Sequence, residues 1–146
     1  MNKIIVFGLL MIPFGLFINN SPRNVEKQNI KIFTPVQNSK LPGEKIFKKY
    51  CVSCHQVDGG GVPRLNPPLI GTSYVLGDKK PLIEILLNGM KNITIEDKTY
   101  TNPMPSFKTL KDQEIADVLT YVRKSFGNDA SAITSADVKS VRAKMK

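Results

Sequence analysis

All of the cysteine and all of the histidine in this 146-residue chain lie in one five-residue stretch, Cys51-Val52-Ser53-Cys54-His55. Two cysteines and one histidine are too few for a multi-disulfide scaffold, a Cys₄ zinc or iron–sulfur site, or a His-rich metal centre. The spacing C-x-x-C-H is the attachment signature of a c-type haem. Cysteines one helical turn apart can each form a thioether with one porphyrin edge, and the adjacent histidine can then place its imidazole beneath the iron. The motif therefore predicts a chain that folds around a bound haem.

Three other readings of the motif are weaker. A redox-active disulfide of the thioredoxin type needs a βαβ context, whereas the flanks here read as a helix and a Gly/Pro-rich loop. A structural zinc site needs four protein ligands, and this cluster supplies at most three. A structural disulfide would leave His55 without a role.

The first residues of the chain predict an export signal. Lys3 is followed by a nearly unbroken apolar run over residues 4–18, which is typical of a secretory signal and short for a membrane span. We therefore expect residues 1–20 to be a cleaved signal peptide or an uncleaved N-terminal anchor, and residues 21–40 to be a flexible polar linker. Residues 41–146 would form one domain outside the cytoplasm, in the periplasm, either soluble or membrane-tethered.

The net charge of the chain indicates which kinds of partner it can bind. Beyond residue 20 the chain has 20 basic and 12 acidic side chains, a formal charge of +8. A basic surface can bind nucleic acid, an anionic membrane or an acidic protein, and export argues against nucleic acid. We expect redox partner proteins with acidic docking surfaces. Electrons would enter and leave through the exposed porphyrin edge near Cys51 and Cys54, which we call the docking edge. The lysines expected to surround it are Lys45, Lys48, Lys79, Lys91 and Lys108.

Apolar spacing and turn residues predict an all-α domain with a short hairpin. The expected elements are helices over 42–51, 79–88 and 112–126, a hairpin pairing 93–95 with 99–100, and a last short helix over 135–145 capped by Ser135. Between His55 and the second helix the chain is too rich in Gly and Pro for a regular element. A loop of that length suits a chain that wraps a large prosthetic group.

The sixth ligand of the iron must come from a residue other than histidine. The methionines outside the signal are Met90, Met104 and Met145. Met104 is flanked by Pro103 and Pro105, which hold the chain extended, so its thioether is presented from a stiff loop. We therefore expect Met104 to ligate the iron opposite His55, although a single methionine more commonly fills a core.

From Leu41 to Lys146 the chain resembles class I cytochrome c. The likeness rests on the haem motif, Met104-Pro105, Gly43 and Phe47 ahead of the motif, Tyr121 in the long helix, and the loop leading to Leu69. It implies a small cytochrome c fold of three main helices and a short terminal helix around covalently bound haem c. It also implies close packing of the first and last helices at Gly43.

The resemblance implies further contacts. The Pro67 carbonyl is expected to accept the Nδ1–H of His55, which would set the tautomer of the ligand. Leu69 and Ile70 are expected to touch the porphyrin, and Arg64 and Tyr74 to hydrogen-bond the propionates.

These features favour a monohaem electron carrier rather than an enzyme, because both axial positions are filled by the protein. Two alternatives remain open. One is an open-site haem protein, a ligand sensor or a peroxidase-like protein, in which Met104 is displaced. The other is a permanent haem subunit of a larger oxidoreductase.

Overall fold

This computed structural model describes residues 41–145. The predicted signal or anchor (1–20) and linker (21–40) lie outside the described residues. Within 41–145, no helix has the length and apolar character needed to cross a membrane.

The described residues form six helical segments and one two-stranded sheet. They are α1 Gly43–Tyr50, α2 Val52–His55, α3 Ser73–Leu76, α4 Lys79–Asn88, β1 Ile93–Ile95, β2 Lys98–Tyr100, α5 Asp112–Lys124 and α6 Ser135–Lys144. The predicted all-α class with three main helices, a terminal helix and a hairpin is therefore confirmed. The first predicted helix is in fact two, because the chain bends at Cys51 between α1 and α2.

Helices α1 and α5 cross in close contact at Gly43. A Cβ on Gly43 would overlap the backbone of Asp117 and Val118, so only glycine permits this approach. One turn further, Phe47 is 1% exposed, and its ring centroid lies 5.3 Å from those of both Tyr121 and Phe126. This aromatic cluster joins the start of the domain to the end of its longest helix.

The hairpin turns more tightly than the sequence analysis predicts. Ile93 pairs with Tyr100 and Ile95 with Lys98, so Lys98 belongs to the second strand rather than to the turn. Glu96 and Asp97 make the turn alone, with φ values of 50° and 62°. Two consecutive left-handed residues match the strand twist of a two-residue hairpin.

The last helix, α6, packs against α4 and α5 through buried Val138 and Val141. Its cap is Thr134, and the prediction of Ser135 as the cap is wrong. The Thr134 hydroxyl accepts from the Asp137 N–H at 3.2 Å, while the Asp137 carboxylate accepts from the Thr134 N–H at 2.9 Å. This reciprocal pair satisfies two N–H groups at the helix start.

The cap makes the docking of α6 sensitive to acid. Hydrogen bonds from Thr134 and the Lys79 ammonium at 3.1 Å hold the pKa of Asp137 below its usual value of 3.8. The ionised carboxylate therefore stabilises the fold above that value, and the stabilisation is lost as pH falls through the lowered pKa. We expect Asp137→Asn to reduce the free energy of unfolding near neutral pH, and the difference from wild type to shrink below pH 3.8. Urea unfolding at a series of pH values measures this difference in the free energy of unfolding. Asp97→Asn, in the exposed turn of the hairpin, is the control.

Candidate functional site

The two cysteines lie at the junction of α1 and α2. Cys51 ends α1, with its N–H donating to the Phe47 carbonyl at 2.8 Å, and Cys54 lies in the next turn. No disulfide joins them, and each is half-buried. Burial raises the pKa of the Cys51 thiol to about 11. Redox-active cysteine pairs instead depend on a lowered thiol pKa, so this environment disfavours the thioredoxin-type alternative.

His55 is 8% exposed and points its ring into the domain. Its Nδ1 lies 3.0 Å from the Pro67 carbonyl oxygen, which can only accept, so Nδ1 carries the proton. Burial lowers the pKa of His55, and the bond to Pro67 offsets only part of that effect. The imidazole is therefore neutral, with the Nε2 lone pair available to a metal.

The loop after His55 folds back to bring Pro67 into place. The Gly61 N–H donates to the His55 carbonyl at 3.0 Å, and the Val62 N–H to the Asn66 carbonyl at 2.9 Å. Gly61 has a φ of 66°, and a Cβ there would lie within 2.6 Å of the Asn66 and Pro67 carbonyl oxygens. Glycine is thus required where this loop closes over the histidine.

A cleft runs between this loop, α4, the hairpin and α5. It has two compartments of about 660 and 690 Å³, each counted with the solvent at its mouth. They share six lining residues: Cys51, His55, Pro67, Met90, Ile93 and Met104. The first compartment is walled by apolar side chains of α4 and α5, and the second opens beside Cys54 and Pro103.

Met104 is attached firmly to the end of α4. Its N–H donates to the Met90 carbonyl at 2.8 Å, and its carbonyl accepts the Met90 N–H at 3.0 Å. Further along, the Phe107 N–H donates to the Leu86 carbonyl at 2.8 Å, and the Ser106 hydroxyl donates to the Leu87 carbonyl. The Met104 loop is therefore pinned to α4 on both sides of Pro105.

The structure brings most of the predicted site residues together. Leu69 and Tyr74 line the first compartment with Cys51, His55, Pro67 and Met104, and Cys54 lines the second. Two residues lie elsewhere. Ile70 is 48% exposed and lines neither compartment. Arg64 is exposed and lines a separate surface pocket with Lys98 and Tyr100.

The sequence analysis misses several buried polar residues near the cleft, and two of them make three or more hydrogen bonds each. Asn128 donates to the Leu69 and Val122 carbonyls, both at 2.9 Å, and accepts the Gly71 N–H at 2.8 Å. The sequence analysis can use Asn128 only as a helix stop, because its partners lie up to 59 residues away. Arg123, 2% exposed, is the second. It lies in the last turn of the amphipathic helix α5, and only its surroundings show that it is buried.

The residues present fit a covalently attached haem. The cleft is largely apolar, two thiols lie at one mouth, and a neutral imidazole and two thioethers line its walls. Within residues 41–145, no three His, Cys, Asp or Glu side chains converge as a metal-binding group. The cysteines and histidine thus do not form a joint metal cluster, whereas separate attachment to a ring and its iron matches their placement.

Comparisons with known proteins agree with this site. The sequence model of the cytochrome c family matches residues 41–126. Cytochrome c-552 of Thermus thermophilus is 38% identical over 117 residues, which cover 73% of this chain and 78% of that protein. The cytochrome c subunit of a quinone alcohol dehydrogenase from Gluconacetobacter polyoxogenes is 36% identical over 71% of this chain but only 23% of its own length.

A third relative is the gluconate 2-dehydrogenase cytochrome c subunit of Pantoea cypripedii, 34% identical over 68% of this chain and 24% of that protein. The chain therefore spans about a quarter of the dehydrogenase subunits that it matches. With the haem motif, the apolar cleft and these relatives together, the chain belongs to the cytochrome c family and carries covalently bound haem c.

Proposed function

We propose that this protein is a monohaem electron carrier in which His55 and Met104 are the axial ligands of the iron. The observation that carries the proposal is the shared cleft, lined by both side chains and by Cys51. The bound group supplies one-electron chemistry at its iron. The chain holds the proton on Nδ1 of His55 and fastens the Met104 loop to α4, so both ligands are preorganised.

The ferric absorption spectrum of the mature protein tests the ligation. We expect a low-spin, six-coordinate spectrum with a thioether-to-iron charge-transfer band, and no binding of carbon monoxide in the ferrous state. A high-spin spectrum with ready carbon monoxide binding would contradict the carrier and favour the open-site alternative. Intact mass checks covalent attachment and removal of the signal in the same sample.

Export supports the same role. The apolar run over residues 4–18 favours delivery of the domain to the periplasm, free or tethered.

The dehydrogenase cytochrome subunits among the relatives favour a second candidate, a haem subunit held permanently in a larger oxidoreductase. Purification from native membranes in mild detergent distinguishes the two, because only the permanent subunit co-purifies in fixed proportion with a dehydrogenase.

Two exposed lysines flank the open compartment of the cleft. Lys91 follows Met90 and Lys108 follows Phe107, and both Met90 and Phe107 line that compartment. Neither lysine makes an ion pair within the described part of the chain. Lys48 and Lys79, also expected at the docking edge, are instead paired with Glu44 at 2.6 Å and Asp137 at 3.1 Å. Lys91 and Lys108 therefore offer free positive charge to an acidic partner.

Charge reversal at these lysines tests the docking surface. We expect Lys91→Glu with Lys108→Glu to slow oxidation by ferricyanide, an anionic probe, and to weaken the dependence of its rate on ionic strength. The control reverses Lys139 and Lys144, which are exposed on α6, and changes net charge equally. Equal rates for the two double variants would show that no local docking surface exists.

A further inference from the structure

A second methionine lies beside Met104 in the same cleft. The N–H of Met90 donates to the Met104 carbonyl at 3.0 Å, and the Met104 N–H donates to the Met90 carbonyl at 2.8 Å. Because both bonds join the same two residues, Met90 and Met104 form a hydrogen-bonded antiparallel pair. In such a pair the two Cβ atoms lie on the same side, about 5 Å apart. Both side chains line both compartments.

The backbone around Met90 is built for this close approach. Gly89 ends α4 with a φ of 74°, and a Cβ on it would overlap the Met104 carbonyl. The end of α4 can therefore lie against the Met104 loop only with glycine at that position. As a result, Met90 is held against the loop that carries the proposed ligand.

Core filling does not account for Met90. Methionine commonly fills irregular gaps in a core, and Met104 and Met145 do pack against the buried core cluster. Among the described residues, Met90 is not one of the partly buried side chains that pack against this cluster. Its surroundings are the walls of the cleft, where its polarisable sulfur is a soft ligand for iron.

We propose that Met90 is a reserve axial ligand, whose thioether takes the iron when Met104 leaves it. The proposal rests on the His55/Met104 ligation given above. The exchange would break one iron–sulfur bond and form another, and it would move no electron or proton because both ligands are neutral thioethers. The site would thus stay closed to small molecules, and the protein would remain an electron carrier.

Three variants of the full haem protein test the proposal: Met104→Leu, Met104→Leu with Met90→Leu, and Met104→Leu with Met145→Leu. Leucine keeps the side-chain volume close to that of methionine but cannot ligate. We expect Met104→Leu to keep a low-spin ferric spectrum with the thioether charge-transfer band. The variant that also lacks Met90 should lose the band and bind carbon monoxide, whereas the variant that also lacks Met145 should match Met104→Leu.

An imidazole titration separates a reserve ligand from a native one. A reserve ligand binds the iron more weakly than the native one, so imidazole should displace the thioether at a lower concentration in Met104→Leu than in wild type. Loss of the band in Met104→Leu, or equal imidazole affinity in that variant and wild type, would overturn the reserve role. A wild-type protein without the band would instead refute the proposed ligation itself, so the two failures are distinguishable.

Discussion

Gly43→Ala is expected to lower the free energy of unfolding by about 3 kcal/mol. The added methyl group would overlap the backbone of Asp117 and Val118 in α5, so no change of side-chain rotamer can relieve the clash. Helix α1 would have to move away from α5 and would carry Phe47 and Cys51 with it. Urea unfolding of the haem-bound protein, followed by circular dichroism, measures the loss.

The control for this change is Gly60→Ala. Gly60 has no left-handed φ, and a Cβ there would meet only the Asp58 carboxylate at 3.1 Å, the movable end of an exposed side chain. This variant should stay within about 0.5 kcal/mol of wild type. If Gly43→Ala were equally mild, the α1–α5 crossing would not depend on backbone contact at Gly43.

The sequence predicts the elements whose signals are local. The predicted bounds of α4 are correct because both of its signals are local. The apolar stripe lies within the helix, and Gly89 ends it. Helix α3 was missed because its single turn lies at the end of a Gly/Pro-rich stretch, although its cap, Thr72, is a favourable N-cap residue. The prediction that α5 reaches Phe126 is wrong by two residues. Ser125 is extended and Phe126 has a φ of 59°, yet Phe126 still packs on Phe47 from beyond the helix end.

The same distinction holds at the site. Cys51, Cys54 and His55 are adjacent in the chain, so their chemistry can be inferred from spacing alone. The pairing of Met90 with Met104 cannot, because it depends on how the chain returns from the hairpin to the end of α4. Asn128 and Arg123 escape prediction for a related reason: their partners are mainly backbone groups, which every residue possesses, so no side-chain pattern marks them.

Arg123→Met is expected to lower the free energy of unfolding by about 3 kcal/mol and to lower the reduction potential. The buried guanidinium donates to the carbonyls of Val75 at 2.6 Å, Gly77 at 2.9 Å and Ser131 at 2.7 Å. Methionine cannot donate, so the variant leaves these buried acceptors without this partner. Loss of these hydrogen bonds also weakens the attachment of α3 to α5, and Tyr74 and Val75 of α3 line the cleft.

The potential should fall for two electrostatic reasons. The buried positive charge of Arg123 disfavours the oxidised haem, which carries one more positive charge than the reduced haem, so removing it lowers the potential. Water entering past α3 also stabilises the extra charge of ferric haem. Arg142→Met is the matched control, because Arg142 also donates to two carbonyls, of Lys108 and Leu110, but its side chain is 34% exposed. Urea unfolding and redox titration of both variants provide the comparison. An Arg123→Met protein with wild-type potential would contradict both effects.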